Sequence, residues 1–202
     1  QAYHNECIGS LSLGVKIGET YTDYSQGSVR QTGGTYDLAL SGSGFFTVSV
    51  TDKAGEVHTR YTRDGRFHLT KDGLLVDADG NAVQGQNGNI TIDPSSKNVS
   101  ISATGQITAD GELVDTLNIV DFEDYDYLKK YGDTMYEPVD GATTKDAEGE
   151  ILQGYTEQSN VNVVREMVDM ITITRAYEAG QKVIRSYDSM LDKSVNQVGA
   201  LK

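Results

Sequence analysis

Cysteine, tryptophan, histidine and basic residues are all scarce in this chain, and each shortage removes a class of function. One residue of 202 is a cysteine, Cys7, which excludes an internal disulfide and any metal centre built on several thiols. No electropositive neighbours surround that thiol in the sequence, so it is read as incidental rather than reactive. His4, His58 and His68 are too few and too scattered to point to a metal site. Lysine and arginine number 17 against 30 aspartates and glutamates, a formal net charge of −13, which argues against binding to nucleic acid or anionic membranes. No run approaches the roughly eighteen apolar residues of a membrane-spanning helix, so membrane insertion is not expected. The opening QAYHNECIGS has neither a basic region nor an apolar run, so no secretory signal is read there. The first residue is not methionine, which leads us to expect trimming.

Catalytic signatures are missing as well. Asp77-Ala78-Asp79-Gly80-Asn81 superficially matches a calcium loop, but such a loop needs glycine at its sixth place and a bidentate glutamate at its twelfth; Ala82 and Gly88 stand there. A hairpin turn is the better reading. Ser41-Gly42-Ser43-Gly44 precedes a strand rather than a helix, so it lacks the helix N-terminus that would hold a phosphate. Glu123, Asp124 and Asp126 read as a solvated acidic loop. The expectation is a protein that is not an enzyme and needs no cofactor.

What is present divides into three parts. Residues 1–35 are polar and glycine-spotted, and read as an extended segment packing along the next part. From Tyr36 the apolar period becomes two, with short strand candidates at 36–40, 45–50, 58–62, 67–69, 74–76, 89–92, 99–101 and 117–120. Asp-Gly pairs at 64–65, 72–73, 79–80, 110–111 and 140–141 accept the positive backbone angles of tight turns. These describe an antiparallel β domain of short strands and hairpins. The Arg63-Asp64-Gly65-Arg66 hairpin, with His68 opposite Tyr61, reads as its most secure element. Between 121 and 158 the pattern dissolves into acidic, glycine-containing loop, with 140–150 the least structured stretch. The β domain with this loop takes in 36–158, and 159–202 form a helical segment.

That last segment organises the chain. Val163, Met170, Ile173, Tyr177, Ile184, Tyr187, Leu191 and Val198 recur in a strict alternation of three and four, with Glu166, Gly180 and Ser194 filling the remaining places. This is a heptad seam, the period at which one side of a helix keeps facing a partner helix. Met167, Ile171 and Thr174 widen the stripe in its first half. Ser159 or Asn160 is placed to cap the start, no proline interrupts, and Gly199 is a plausible stop. The 38 residues from Val161 to Val198 would make a rod of roughly 57 Å, whereas a compact 100-residue body has a radius of gyration of about 13 Å. The rest of the chain cannot easily cover such a stripe, so part of the coiled-coil-type seam needs another helix.

Several motifs together carry a resemblance. Ser25-Gln26-Gly27 and the stretch from Gln31-Thr32-Gly33-Gly34 through Phe45-Phe46 come first. Tyr61-Thr62-Arg63-Asp64-Gly65-Arg66-Phe67, Asp72-Gly73-Leu74-Leu75-Val76 and Gly80-Asn81-Ala82-Val83-Gln84-Gly85 follow. Ser159-Asn160-Val161-Asn162-Val163-Val164, with Glu166-Met167-Val168 and Arg175-Ala176-Tyr177-Glu178, completes the set. The chain resembles the flagellar basal-body rod and hook proteins, most closely the rod group. The resemblance implies an amino-terminal helix paired with the carboxy-terminal one, which this sequence lacks. It also implies a helical axial drive shaft built from copies of this chain and neighbouring rod and hook axial proteins. Export through the flagellar export apparatus without signal cleavage follows from it too, with the basal body, outside the cytoplasm, as destination. Val163, Met167, Met170, Ile173, Tyr177, Ile184, Tyr187 and Leu191 are the expected subunit-interface residues. Alternatives are a hook subunit, a carbohydrate-active or carbohydrate-binding β module, which the absence of tryptophan weakens, and a self-contained binding module whose helix folds back on its β domain.

Overall fold

The computed structural model describes residues 21–52 and 55–198; His4, Cys7, the short apolar stretch 11–17 and the stop expected at Gly199 lie outside them. The described residues form a body of antiparallel strands and one long C-terminal helix, the fold class read from the sequence. In chain order the strands are β1 (Val29–Gln31), β2 (Leu38–Ser41), β3 (Phe45–Thr51), β4 (Val57–Thr62), β5 (His68–Leu69), β6 (Leu75–Val76), β7 (Ala82–Gly85) and β8 (Gly88–Asn89). They continue with β9 (Val99–Ile101), β10 (Gln106–Ala109), β11 (Glu112–Thr116), β12 (Ile119–Phe122), β13 (Leu128–Tyr131), β14 (Met135–Pro138), β15 (Thr144–Asp146), β16 (Glu150–Gln153) and β17 (Tyr155–Glu157). The helix α1 runs Val163–Lys193, and Ser194–Val198 extend it in a wider π-type turn.

β3 is the centre of the body. Phe45 to Ser49 are all buried, the mark of a strand covered on both faces. Phe46 and Val48 point into the main core with Leu38, Leu40, Leu75, Val83, Ile90, Ile92 and Ile107, while Phe45 joins Phe122 and Leu128 in a second cluster. β3 is flanked by β4 and β7, and the sheet continues through β14 and β13 on one side and β6 and β5 on the other. Smaller sheets pair β9, β10 and β11, β2 with β16, and β1 with β17.

Two sequence expectations need correction. Arg63 to Arg66 is not a hairpin: β4 pairs with β3 and β14, and β5 pairs with β6, so His68 faces Val76 rather than Tyr61. Gly65 is used for closeness instead of a tight turn. A Cβ there would stand 1.8 Å from the Leu38 carbonyl oxygen, whose residue donates its own N–H to the Gly65 oxygen at 2.9 Å. The Asp64 carboxylate meanwhile holds Arg66, with Nε at 2.9 Å and Nη2 at 2.6 Å. By contrast Asp110-Gly111 does turn between β10 and β11, with φ of 51° and 93°, the double positive angle of a type I′ turn.

The second correction concerns 121–158, which is not a structureless loop but carries β13 to β17. Even 140–150 contains β15, paired with β12 through Val120 and Asp146. These strands are three or four residues long; β13 and β14 pair as a hairpin, whereas β16 finds β2 and β17 finds β1 far away in sequence, and no alternation long enough to read announces them. β15 is exposed throughout and offers no apolar signal at all.

Residues 21–31 run along the body. Tyr24 wedges its ring against Tyr125 at 4.9 Å and Tyr136 at 5.4 Å. The Gln26 amide donates to the Leu40 oxygen at 2.7 Å and accepts from Gly42 N–H at 3.1 Å. Gly27 allows this strap to cross the outgoing chain, because a Cβ would meet the Gln158 oxygen at 1.8 Å.

Candidate assembly interface

α1 starts two or three residues later than Asn160 or Ser159 would dictate. Asn162 is the cap, its side-chain oxygen accepting from Arg165 N–H at 3.1 Å and so satisfying one of the free amides of the first turn. Glu166 in the first turn and Lys193 in the last complement the helix dipole. Thirty-one residues at about 1.5 Å each give a rod of about 46 Å. It passes Gly180 without a break. It does not fold back on the body, and none of its residues is buried.

All eight expected interface residues lie on this rod, and all are exposed, from 59% for Met167 to 70% for Ile173. Val198 follows in the π-type turn. The sequence pattern passed over Val164, Val168, Val183, Met190 and Val195, which are equally exposed. Counting every apolar residue on the rod, rather than those at the heptad period alone, would have found them. Thr174, expected in the stripe, donates its hydroxyl to the Met170 oxygen at 2.8 Å, so it can enter an apolar contact with no unmet donor. Charge on the rod cancels: Arg165, Arg175, Lys182, Arg185 and Lys193 match Glu166, Asp169, Glu178, Asp188 and Asp192. The whole formal charge of −13 therefore falls outside α1. Like rods carrying no net charge can pack without long-range repulsion.

Acidic groups elsewhere serve the fold. Asp77 accepts from Asp79 N–H at 2.9 Å and Asn81 N–H at 2.8 Å, closing the turn between β6 and β7. Asp124 accepts from Asp126 N–H at 3.0 Å, and Glu123 from the Thr143 hydroxyl at 3.0 Å. Burial pushes the Asp121 carboxyl up, but hydrogen bonds from Tyr125, Ser43, the Phe122 N–H and Lys145 outweigh it and hold the group below the usual carboxylate range. His58 stands 3.6 Å from Asp52 and 3.9 Å from Glu56, an exposed grouping on one hairpin that histidine spacing alone did not reveal. A cleft of about 640 Å³ opens where strap, body and helix start meet. Four of its ionic groups pair with one another, Arg63 with Glu157 at 3.0 Å and Arg66 with Asp64 at 2.6 Å.

The chain also resembles known proteins in sequence. Residues 39–109 match the family described as "Flagellar hook protein FlgE/F/G D1 domain", and residues 152–198 match "Flagellar basal body rod FlgEFG protein C-terminal". The flagellar basal-body rod protein FlgG of Buchnera aphidicola subsp. Schizaphis graminum is 36% identical over 196 residues, 91% of this chain and 73% of the relative. The chain belongs to the flagellar basal-body rod protein family. FlgG of Bacillus subtilis is 32% identical over 205 residues, covering 92% of this chain and 74% of that protein. FlgF of Caulobacter vibrioides is 34% identical over 181 residues, 89% and 72% respectively. As a rod-family member the chain is a structural subunit of the flagellar basal body, and the hook alternative is not favoured. Among the described residues no helix is long and apolar enough to cross a membrane.

Proposed function

We propose that this rod-family chain acts without catalysis, polymerising through α1 into the helical axial shaft that carries torque. Residues 159–202 form the axial part, residues 36–158 the outer wall, and the partners are copies of the chain and neighbouring rod and hook axial proteins. Export through the flagellar apparatus without a cleaved signal accompanies this reading. The observation that carries it is a rod whose apolar seam is wholly exposed while its charges cancel. Eight seam side chains in water are costly, since burying each large apolar side chain is worth about 1.5–3 kcal/mol. A helix–helix contact recovers that energy, and heterologous contacts that do not close produce a filament. Transmitting torque requires many packed contacts and no bond making.

The test is to replace Met170 and Ile173 together with Asp in the intact protein and to express it in cells lacking their own copy. We expect swimming to be lost while the purified variant keeps the urea midpoint of its β body. Normal motility in the double variant would overturn the seam as the assembly surface.

A further inference from the structure

Two of the motifs that marked the family resemblance, Ser25-Gln26-Gly27 and Ser159-Asn160-Val161-Asn162, lie more than 130 residues apart in sequence and meet in space. The Asn160 side-chain amide donates to the Asp23 carbonyl oxygen at 3.2 Å, to the Ser25 carbonyl oxygen at 3.1 Å and to Ser25 Oγ at 3.0 Å. Two of these partners are backbone carbonyls, which only accept, so the nitrogen and not the oxygen of the amide faces the strap. Ser25 is itself held. Its N–H donates to Asp23 Oδ1 at 2.9 Å, and that bond first, with its hydroxyl second, holds the Asp23 carboxyl below the usual range. The strap beneath is fastened by Tyr24, by Gln26 and by Gly27 N–H donating to Glu157 at 2.9 Å. Past this point the character changes. Val161 and Asn162 are exposed, as are the helix residues that follow apart from half-buried Gln181. Asn162 accepts from Arg165 N–H, and the side-chain hydrogen bonds donated by Thr172, Thr174, Gln181 and Asn196 stay within the helix and its π-type extension.

From this arrangement we infer that Asn160 is a positioning residue: its amide locks the outgoing chain to the strap and thereby sets the direction in which α1 leaves the β body. A rod with no buried face has no packing of its own to fix its angle, so the angle is determined at its root. Three acceptors on Asp23 and Ser25, either side of Tyr24, share the two N–H bonds of one amide and define both distance and rotation there. Asn160 and Asn162 then divide the work of one short motif, the first aiming the helix and the second starting it. A shaft subunit needs that angle defined before neighbours arrive. The inference concerns the single chain, so it stands or falls separately from the assembly seam.

The experiment measures the distance between spin labels by double electron–electron resonance in the full chain. Cys7→Ser removes the native thiol, Lys71→Cys labels the body and Asp169→Cys labels the second turn of α1. The parent protein is expected to give one narrow distribution, at least doubled in width by Asn160→Ala. Asn160→Asp keeps the shape but replaces the donor with an acceptor facing two carbonyls, and is expected to broaden the distribution as much. Ser25→Ala removes one acceptor of three and is expected to broaden it less. The urea midpoint of the β body is expected to stay unchanged in all three. A broad distribution in the parent, an unaltered width in Asn160→Ala, or an unaltered width in Asn160→Asp would each overturn the proposal. So would broadening that comes with a lowered β-body midpoint, because Asn160 would then serve folding and not direction.

Discussion

The β body and α1 use the same apolar residue types in opposite ways. In the body Phe46, Val48, Leu75 and Val83 are shut away from water, each at 2% exposure or less; on the rod Ile173, Tyr177 and Leu191 stand more than 60% exposed. The body therefore closes its hydrophobic account within one chain, while the rod leaves it open. Helices without tertiary packing are marginal in water even at good lengths, because nucleation is unfavourable and each added residue gains little. The contrast teaches that stability in this molecule belongs to the body, while the rod keeps its apolar surface in contact with water. A change in one half should be nearly silent in the other.

The largest break in that symmetry is expected from the core. Phe46→Ala should lower the stability of the body by about 3–5 kcal/mol, read from urea unfolding, because it removes a fully buried ring that meets Phe67 edge-on at 5.2 Å. Ile173→Ala, also a large-to-small change, should shift the same midpoint by under about 0.5 kcal/mol. Next comes the crossing of strap and outgoing chain. Gly27→Ala should cost about 1–3 kcal/mol in the same unfolding experiment, since the backbone must move to admit a Cβ 1.8 Å from the Gln158 oxygen.

Smaller effects sharpen the comparison from the other side. Asn162→Ala should destabilise the start of α1 by about 1 kcal/mol, measured as faster amide exchange over 163–166, with exchange in β3 unchanged. Least of all is a titration confined to the body. Burial first, and then the hydrogen bond to Asp121 at 2.8 Å, push the Tyr125 hydroxyl up to about 12. The folded chain holds that proton more tightly than the unfolded chain, where a tyrosine titrates near about 10. The stabilisation is therefore complete below about pH 10 and lost as pH rises toward about 12. Unfolding midpoints across that range should fall, and Tyr125→Phe should flatten part of the fall.

The rod was legible in the sequence because a period of three and four repeated over more than thirty residues is a signal no short element can imitate. Its exposure followed from length alone. Most strands of 36–122 were visible as pieces, but β7, β10 and β11 were missed. Pairing was not visible either, since Asp64-Gly65 has the composition of a turn while its glycine is needed for contact with Leu38. β13 to β17 escaped notice because their runs are short and, for β15 to β17, because their partners are non-local. Asn160 could be seen only as one of two possible helix caps. Its bonds to Asp23 and Ser25 depend on a meeting of chain segments that periodicity does not encode.

The antiparallel pairing of β1 with β17 puts the incoming and outgoing strands of the body side by side, Val29 across from Glu157 and Gln31 across from Tyr155. Everything from Thr32 to Gly154 is thus a loop whose two ends coincide. Residues inserted into loops far from this stem leave the helix beyond Asn160 in place, because the strap keeps its contacts with Leu40, Tyr125 and Tyr136. The stem formed by these two strands holds the two ends of the body together whatever such a loop carries.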